Sequence, residues 1–183
     1  VRFSIAAKLV SSAAKYNNQS RIMCETFSGS GWDLKLVDAK RIINRLVVHG
    51  INMIMYMGAY YSLNGARKKL PMGYPPSHGY NNPLFEHYEF LNCYTARISY
   101  LSSITRPAGR VMVMLPQITQ YIYPYKAQEL DFSWQGTVEA LIRLNIEFDM
   151  GFESLADEME VIGGKIIIRG YEYNSLVLPA MKY

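Results

Sequence analysis

The chain has 183 residues, half of them hydrophobic, and a net charge of +4 at pH 7. This is enough apolar material to bury a core in one large domain or two small ones, and it excludes a disordered chain. Cys24 and Cys93 are too few for a disulfide framework, the scattered basic residues lack the face a nucleic acid needs, and the apolar run Ile51 to Tyr61 is too short to cross a bilayer.

Phe3 to Tyr16 reads as a helix, with Phe3, Ala6, Ala7, Val10, Ala13 and Ala14 as its apolar stripe and Asn17-Asn18 as its stop. Arg21 to Glu25 reads as a short strand delivering one carboxylate to its end, followed by the small-residue loop Ser28–Gly31 and Trp32. Asp33 then occupies an N-cap position, and Leu36, Val37, Lys40, Ile43, Asn44 and Val47 line one side of a helix that Gly50 ends. Ile51 to Met57 is nearly apolar on both faces, as suits a parallel strand covered on both sides, so Arg21 to Met57 reads as a βαβ unit. The Pro- and Gly-rich stretch Gly58 to Asn82, with Tyr60, Tyr61, Tyr74 and Tyr80, reads as an ordered, ligand-facing loop. Pro83 opens a helix reaching about Ser103, with Tyr94, Ile98 and Leu101 on its buried side.

The break at Thr105–Gly109 divides the chain into 1–108 and 109–183. Beyond it, Val111–Leu115 reads as a buried strand, Gln117–Asp131 as a loop, Phe132–Asn145 as a helix, Ile146–Asp149 as a strand and Glu153–Glu160 as a short acidic helix. Gly163-Gly164 turns the chain into Ile166–Ile168, and Leu176–Leu178 makes a last strand. The alternation implies an α/β fold with a Rossmann- or flavodoxin-like sheet in the second part. A last strand without a covering helix, and a first βαβ unit without a strand before it, read as a piece of a longer protein.

Glu25 stands where an α/β fold presents an acid, at the carboxyl end of a strand. Capping the loop, or pairing with an Arg, would place a Glu there equally well. Asp33 has a sufficient role as a cap, Glu86 and Glu89 lie on a helix face, and His49 lies near a helix end, where a cation favours the dipole. Trp32, Tyr60, Tyr61 and Arg67 follow the two strand ends and supply the flat faces and polar tips that sugars need, though aromatics packed at a loop base would look the same, and His78 in the Pro-rich loop is a further candidate for sugar contact. Metal-ligand spacing is missing from the sequence, and a nucleotide-binding reading lacks its fingerprint: Gly29-Ser30-Gly31 has no third glycine, and Gly163-Gly164 leads into a strand.

Glu25-Thr26-Phe27, Gly31-Trp32 and His49-Gly50-Ile51-Asn52 resemble the closing part of a glycoside hydrolase barrel. Gly58-Ala59-Tyr60-Tyr61-Ser62, Gly65, Arg67-Lys68, Pro75-Pro76-Ser77 and Tyr94-x-Ala96-Arg97-x-Ser99-Tyr100-Leu101 are similar to α-L-rhamnosidase-type enzymes of the family 106 kind. The resemblance implies the C-terminal portion of a (β/α)8 TIM barrel over 1–108, with Arg21–Glu25 and Ile51–Met57 as its last two strands. It implies a partial flavodoxin-like domain, of the glutamine-amidotransferase kind, over 109–183. It makes Glu25 the base, the nucleophile or a calcium ligand, with calcium the one cofactor the family allows, a carbohydrate the partner, and neither nucleic acid nor membrane. A secreted or periplasmic location is implied for the full-length enzyme, and no activity for this piece alone, since the acid that would work with Glu25 lies upstream. The chain departs from the family at Met57, where a His is common, and at Asn92, where an Asp is. Loss of the His favours a second reading, a carbohydrate-binding relative without catalysis.

Overall fold

The computed structural model describes residues 5–65, 68 and 74–180. In chain order these form α1 (Ala6–Tyr16), β1 (Met23–Thr26), α2 (Leu36–Val48), β2 (Met53–Tyr56), α3 (Tyr88–Ile104), β3 (Val111–Leu115), α4 (Gln117–Ile122), α5 (Ala127–Arg143), β4 (Phe148–Phe152), β5 (Glu160–Ile162), β6 (Lys165–Ile168), β7 (Tyr171–Tyr173) and β8 (Ser175–Val177). The result is a mixed α/β protein with parallel sheets, divided into two compact units, residues 20–106 and residues 1–19 with 107–183. The expected piece 1–108 is therefore divided, because its N-terminal helix packs with the residues beyond 106.

In the unit of residues 20–106, β1 and β2 pair in parallel, Met23 opposite Met53 and Glu25 opposite Met55, joined through α2. Cys24, Thr26, Ile54 and Tyr56 share the face turned toward the helices, since strand side chains alternate. Against that face, Phe27, Ala39, Ile43, Tyr88 and Leu91 form the core, with Ile54, Tyr56 and Ile98 packed on it. Among the described residues the opposite face is open, with Met53 and Met55 45% and 44% exposed. Asp33 is not the cap of α2; the helix starts two residues later from an extended Lys35 that makes no side-chain cap. Gly50, at φ 96, makes the stop that a side chain would strain. α3 begins at Tyr88, after a 3-10 turn at Phe85–His87, and buries Tyr88, Leu91 and Thr95. Leu101, expected inside, is 52% exposed because the stripe that meets β2 starts at Tyr88; there Tyr56 Oη and Thr95 Oγ1 lie 3.0 Å apart.

Buried Asn52 fastens the start of both strands. Its Oδ1 accepts from the Ile22 amide at 2.9 Å, and its Nδ2 donates to the Ser20 carbonyl at 2.9 Å. Asn52→Ala leaves both backbone groups without that partner, and we expect a loss of about 1–3 kcal/mol in denaturant unfolding.

In the other unit, β3 is the centre of a parallel sheet ordered β4-β3-β8. Val113 packs with Trp134 and Val138 of α5, whereas the adjacent Met112 packs with Tyr16, Ile168 and Tyr173, so successive residues of β3 serve opposite faces. One face is covered by a helix and the other by the antiparallel meander β5-β6-β7, inserted between β4 and β8. Gly163 and Gly164, at φ 58 and 77, make the two-residue hairpin turn that only such backbones allow. The second turn carries Arg169 at φ 47, and its guanidinium forks onto Glu158 at 2.6 and 2.7 Å.

Where a loop was expected over Gln117–Asp131, the chain forms α4, a 3-10 turn at Pro124–Lys126 and the start of α5. The carboxylate of Glu153 caps α4 by accepting from the amides of Ile118 and Thr119 and from Thr119 Oγ1. β4 continues past Asp149 to Phe152. α1 buries Lys8, Ser11, Ser12 and Tyr16 in place of the expected stripe, and Val10 is half-exposed. The small serines let the helix approach edge strand β4, whose Met150 amide donates to Ser12 Oγ at 2.9 Å. Lys8 pairs with Glu147 and lies 3.7 Å from Asp149, which also pairs with Lys15. The Tyr173 hydroxyl donates to Asp149 at 2.8 Å and lies 3.0 Å from the Tyr16 hydroxyl. Burial, above all, raises both tyrosine pKa values, so both remain neutral hydrogen-bonding groups.

Candidate functional site

β1 rises into the site on alternating side chains. Glu25 and Met23 share the open face with Met53 and Met55, and Glu25 is the one carboxylate of the two strands. It lies one residue before the strand's end, exposed, and no described side chain hydrogen-bonds to its carboxylate. The chain then reverses sharply. Phe27 is buried at φ 76, a left-handed conformation that costs an L-residue about 1–2 kcal/mol. The reversal drives the Phe27 ring to 5.1 Å from Tyr56 and 5.5 Å from His78, between ring centroids, and turns the following loop outward.

That loop ends on Trp32, which is 47% exposed and meets Tyr60 edge to face at 5.8 Å. Tyr60 itself is buried. Its amide donates to Ser77 Oγ at 2.9 Å and its hydroxyl to the Tyr74 carbonyl at 2.7 Å, while Asn81 Nδ2 donates to its carbonyl at 2.9 Å. Tyr60 thus supports Trp32 from beneath and presents no free face. Tyr61 is 78% exposed, and its carbonyl accepts from the Tyr80 hydroxyl. The Gly31 amide donates to the Pro75 carbonyl at 3.2 Å, and Pro75-Pro76 is a cis peptide.

His78 lies behind this surface. Its ring is enclosed by Phe27, Tyr56 and Tyr88, at 5.4–5.6 Å between centroids, and its Nδ1 lies 2.8 Å from Tyr88 Oη. Burial lowers its pKa and keeps the ring neutral. His78 therefore anchors the 74–82 segment and does not face outward as a sugar contact would.

Of the residues singled out in the sequence, Trp32 and Tyr60 come into contact, and Tyr61 follows Tyr60 in the chain. Glu25 makes no hydrogen bond to any of them among the described residues, and Arg67 lies outside the described residues. Sequence reasoning missed Phe27, whose backbone turn aims the loop, and Tyr88 and Ser77, which hold the aromatic segment. The signal available for Asn52 was an amide inside an otherwise apolar run.

No group of three or more His, Cys, Asp or Glu side chains able to hold a metal ion occurs among the described residues. No helix among them is long and apolar enough to cross a membrane. A recess of about 360 Å³ lies in the other unit, lined by residues including Lys15, Arg110, Tyr171 and Glu172, and none of the site residues above takes part in it.

The site is thus a parallel strand pair with one open face among the described residues, a lone carboxylate on that face and an aromatic step beyond it. No protein-family profile matches the sequence, and no curated protein sequence matches it. Among solved structures, the chain is similar to a rhamnosidase from Novosphingobium sp. PP1Y, with a TM-score of 0.66 over 97% of the chain at 16% identity. The fold is rhamnosidase-like. The chain spans 17% of the length of that rhamnosidase, and at this identity the likeness is one of fold.

Proposed function

We propose that the chain is part of a glycoside hydrolase of the α-L-rhamnosidase type, and that Glu25 is one of its two working carboxylates. Residues 20–106 are read as the closing βαβα portion of a (β/α)8 barrel, and residues 107–183 as the start of a flavodoxin-like domain. The observation that carries the reading is the placement of Glu25 on the one open face of a parallel strand pair whose other face is packed on α2 and α3. A barrel strand turns one face to its helices and the other to the interior, where its chemistry is kept at the carboxyl end. The likeness to a rhamnosidase over nearly the whole chain supports the same assignment.

Glycoside hydrolysis needs an acid to protonate the leaving oxygen and a second carboxylate to act as base or nucleophile. Glu25 takes the second role, and the acid comes from a strand outside this chain. Trp32 offers the exposed aromatic edge against which a deoxy-sugar ring can lie, and Tyr61 adds a hydroxyl at the rim. Tyr60 and His78 hold that surface from behind.

The second reading, a carbohydrate-binding relative without turnover, draws on Met57. A thioether stands where the resemblance expects an imidazole, which removes one proton-transferring group. Assay of the full-length gene product on an aryl α-L-rhamnoside separates the two. We expect release of the aryl alcohol; saturable binding of the glycoside without release supports the second reading.

A further inference from the structure

We infer that His78 is an acid-sensitive latch: its protonation releases the 74–82 segment and with it the Trp32–Tyr60 surface. The sugar-binding role of that surface rests on the function proposed above; the latch itself rests on geometry alone.

The imidazole is locked between three rings. Phe27 closes it from the end of β1, Tyr56 from β2 and Tyr88 from α3. Tyr56 and Tyr88 are the titratable groups among these neighbours, and burial raises both, so they stay neutral at any pH where His78 titrates. No carboxylate among the described residues faces the ring. Nδ1 has the Tyr88 hydroxyl, but Nε2 is buried with no hydrogen-bond partner among the described residues. A neutral imidazole can leave one nitrogen unprotonated there. An imidazolium must donate from both nitrogens, and here the second N–H would be buried without an acceptor and the charge without a counter-ion.

The same segment carries the three hydrogen bonds that hold Tyr60 among the described residues. Ser77, next to His78, accepts from the Tyr60 amide; the Tyr74 carbonyl accepts from the Tyr60 hydroxyl; Asn81 donates to the Tyr60 carbonyl. The His78 amide donates to the Gly58 carbonyl at 3.0 Å, tying the segment to the end of β2. Withdrawal of the imidazole from its cage therefore loosens Tyr60, and Trp32 loses the ring it leans on.

The sign follows from linkage. A histidine whose pKa is lowered by burial in the folded state contributes stability that is present above its unfolded value, about 6.5, and is lost as pH falls below it. The latch is closed at neutral pH and opens in acid.

Trp32 reports the event when its emission is taken as the difference between the protein and its Trp32→Phe variant. We expect this Trp32 contribution in the full-length protein to change reversibly between pH 7.5 and pH 5. The step should vanish in His78→Gln, which keeps a side chain able to hydrogen-bond Tyr88 and cannot titrate, and should persist in His49→Gln and His87→Gln. A wild-type protein without the step, or a step that survives in His78→Gln, overturns the latch. Should His78→Gln fail to fold at pH 7.5, solution NMR of the wild-type His78 ring decides instead: protonation without a coincident change at the Trp32 indole refutes it. A step in Trp32 emission in a protein that binds no rhamnoside leaves the latch standing and removes the sugar reading.

Discussion

Asp149→Leu lowers the stability of the unit formed by residues 1–19 and 107–183 by about 3–5 kcal/mol, the range for a buried ion pair that loses one partner. Asp149 is 2% exposed and stands between Lys8, 3% exposed, and Lys15, 13% exposed. Lys8 keeps Glu147 when Asp149 is lost, but Lys15 keeps no carboxylate among the described residues, and the Tyr173 hydroxyl loses its acceptor. The ammonium of Lys15 also lies over the Tyr171 ring at 4.4 Å, too weak a contact to replace a full counter-charge. The loss falls on the junction between α1 and β4, since Lys8, Lys15 and Ser12 are that helix's polar contacts with the strand. The measurement is urea unfolding followed by the emission of Trp134, buried in the core of the same unit, with Trp32 replaced by Phe. Lys15→Met combined with Asp149→Leu removes both charges and should recover most of the loss, because the attraction of a buried pair is largely offset by its desolvation. A single variant that costs under about 1 kcal/mol, the range of an exposed pair, would contradict the assigned burial.

The same cluster marks where the sequence stops being readable. The Ala-rich stripe of α1 is a fair sign of a helix but a poor sign of its buried face, because the partners of Lys8 and Lys15 lie more than 130 residues away in the chain. α4 was hidden for a similar reason. It is six residues long, bracketed by Pro116 and Pro124, and capped by Glu153 from another element. Where punctuation is local, the sequence carries the fold: Asn18 and Gly50 take the left-handed conformations that stop α1 and α2, and the run at Val111–Leu115 is the buried central strand. The meander β5-β6-β7 was half legible, its first turn in Gly163-Gly164 and its second concealed by an arginine.

The candidate site divides in the same way. Glu25, Trp32, Tyr60 and Tyr61 were legible as residue types placed just before or after two strand ends. That Tyr60 lies beneath Trp32, and that His78 is enclosed, depends on the backbone reversal at Phe27 and on Tyr88 from α3. Neither leaves a local pattern. The openness of the strand face was legible in part: Met23, Met53 and Met55 could serve a buried interior as well as an exposed one, and their strand register puts all three beside Glu25.

Glu25→Gln removes the charge and the nucleophilic oxygen while keeping size and shape. Its carboxylate holds no described side chain in place, so the substitution has no structural contact to break, and the thermal unfolding midpoint should be unchanged. A general base or nucleophile is worth about 10²–10⁴-fold in rate, and the loss should appear in kcat more than in KM, because the carboxylate acts on the reacting centre and not on the sugar's outer hydroxyls. The direct measurement is kcat for an aryl α-L-rhamnoside, wild type against Glu25→Gln, in the full-length protein. We predict a fall of at least about 10²-fold at unchanged unfolding midpoint; a variant that folds and turns over at the wild-type rate would contradict the catalytic role of Glu25.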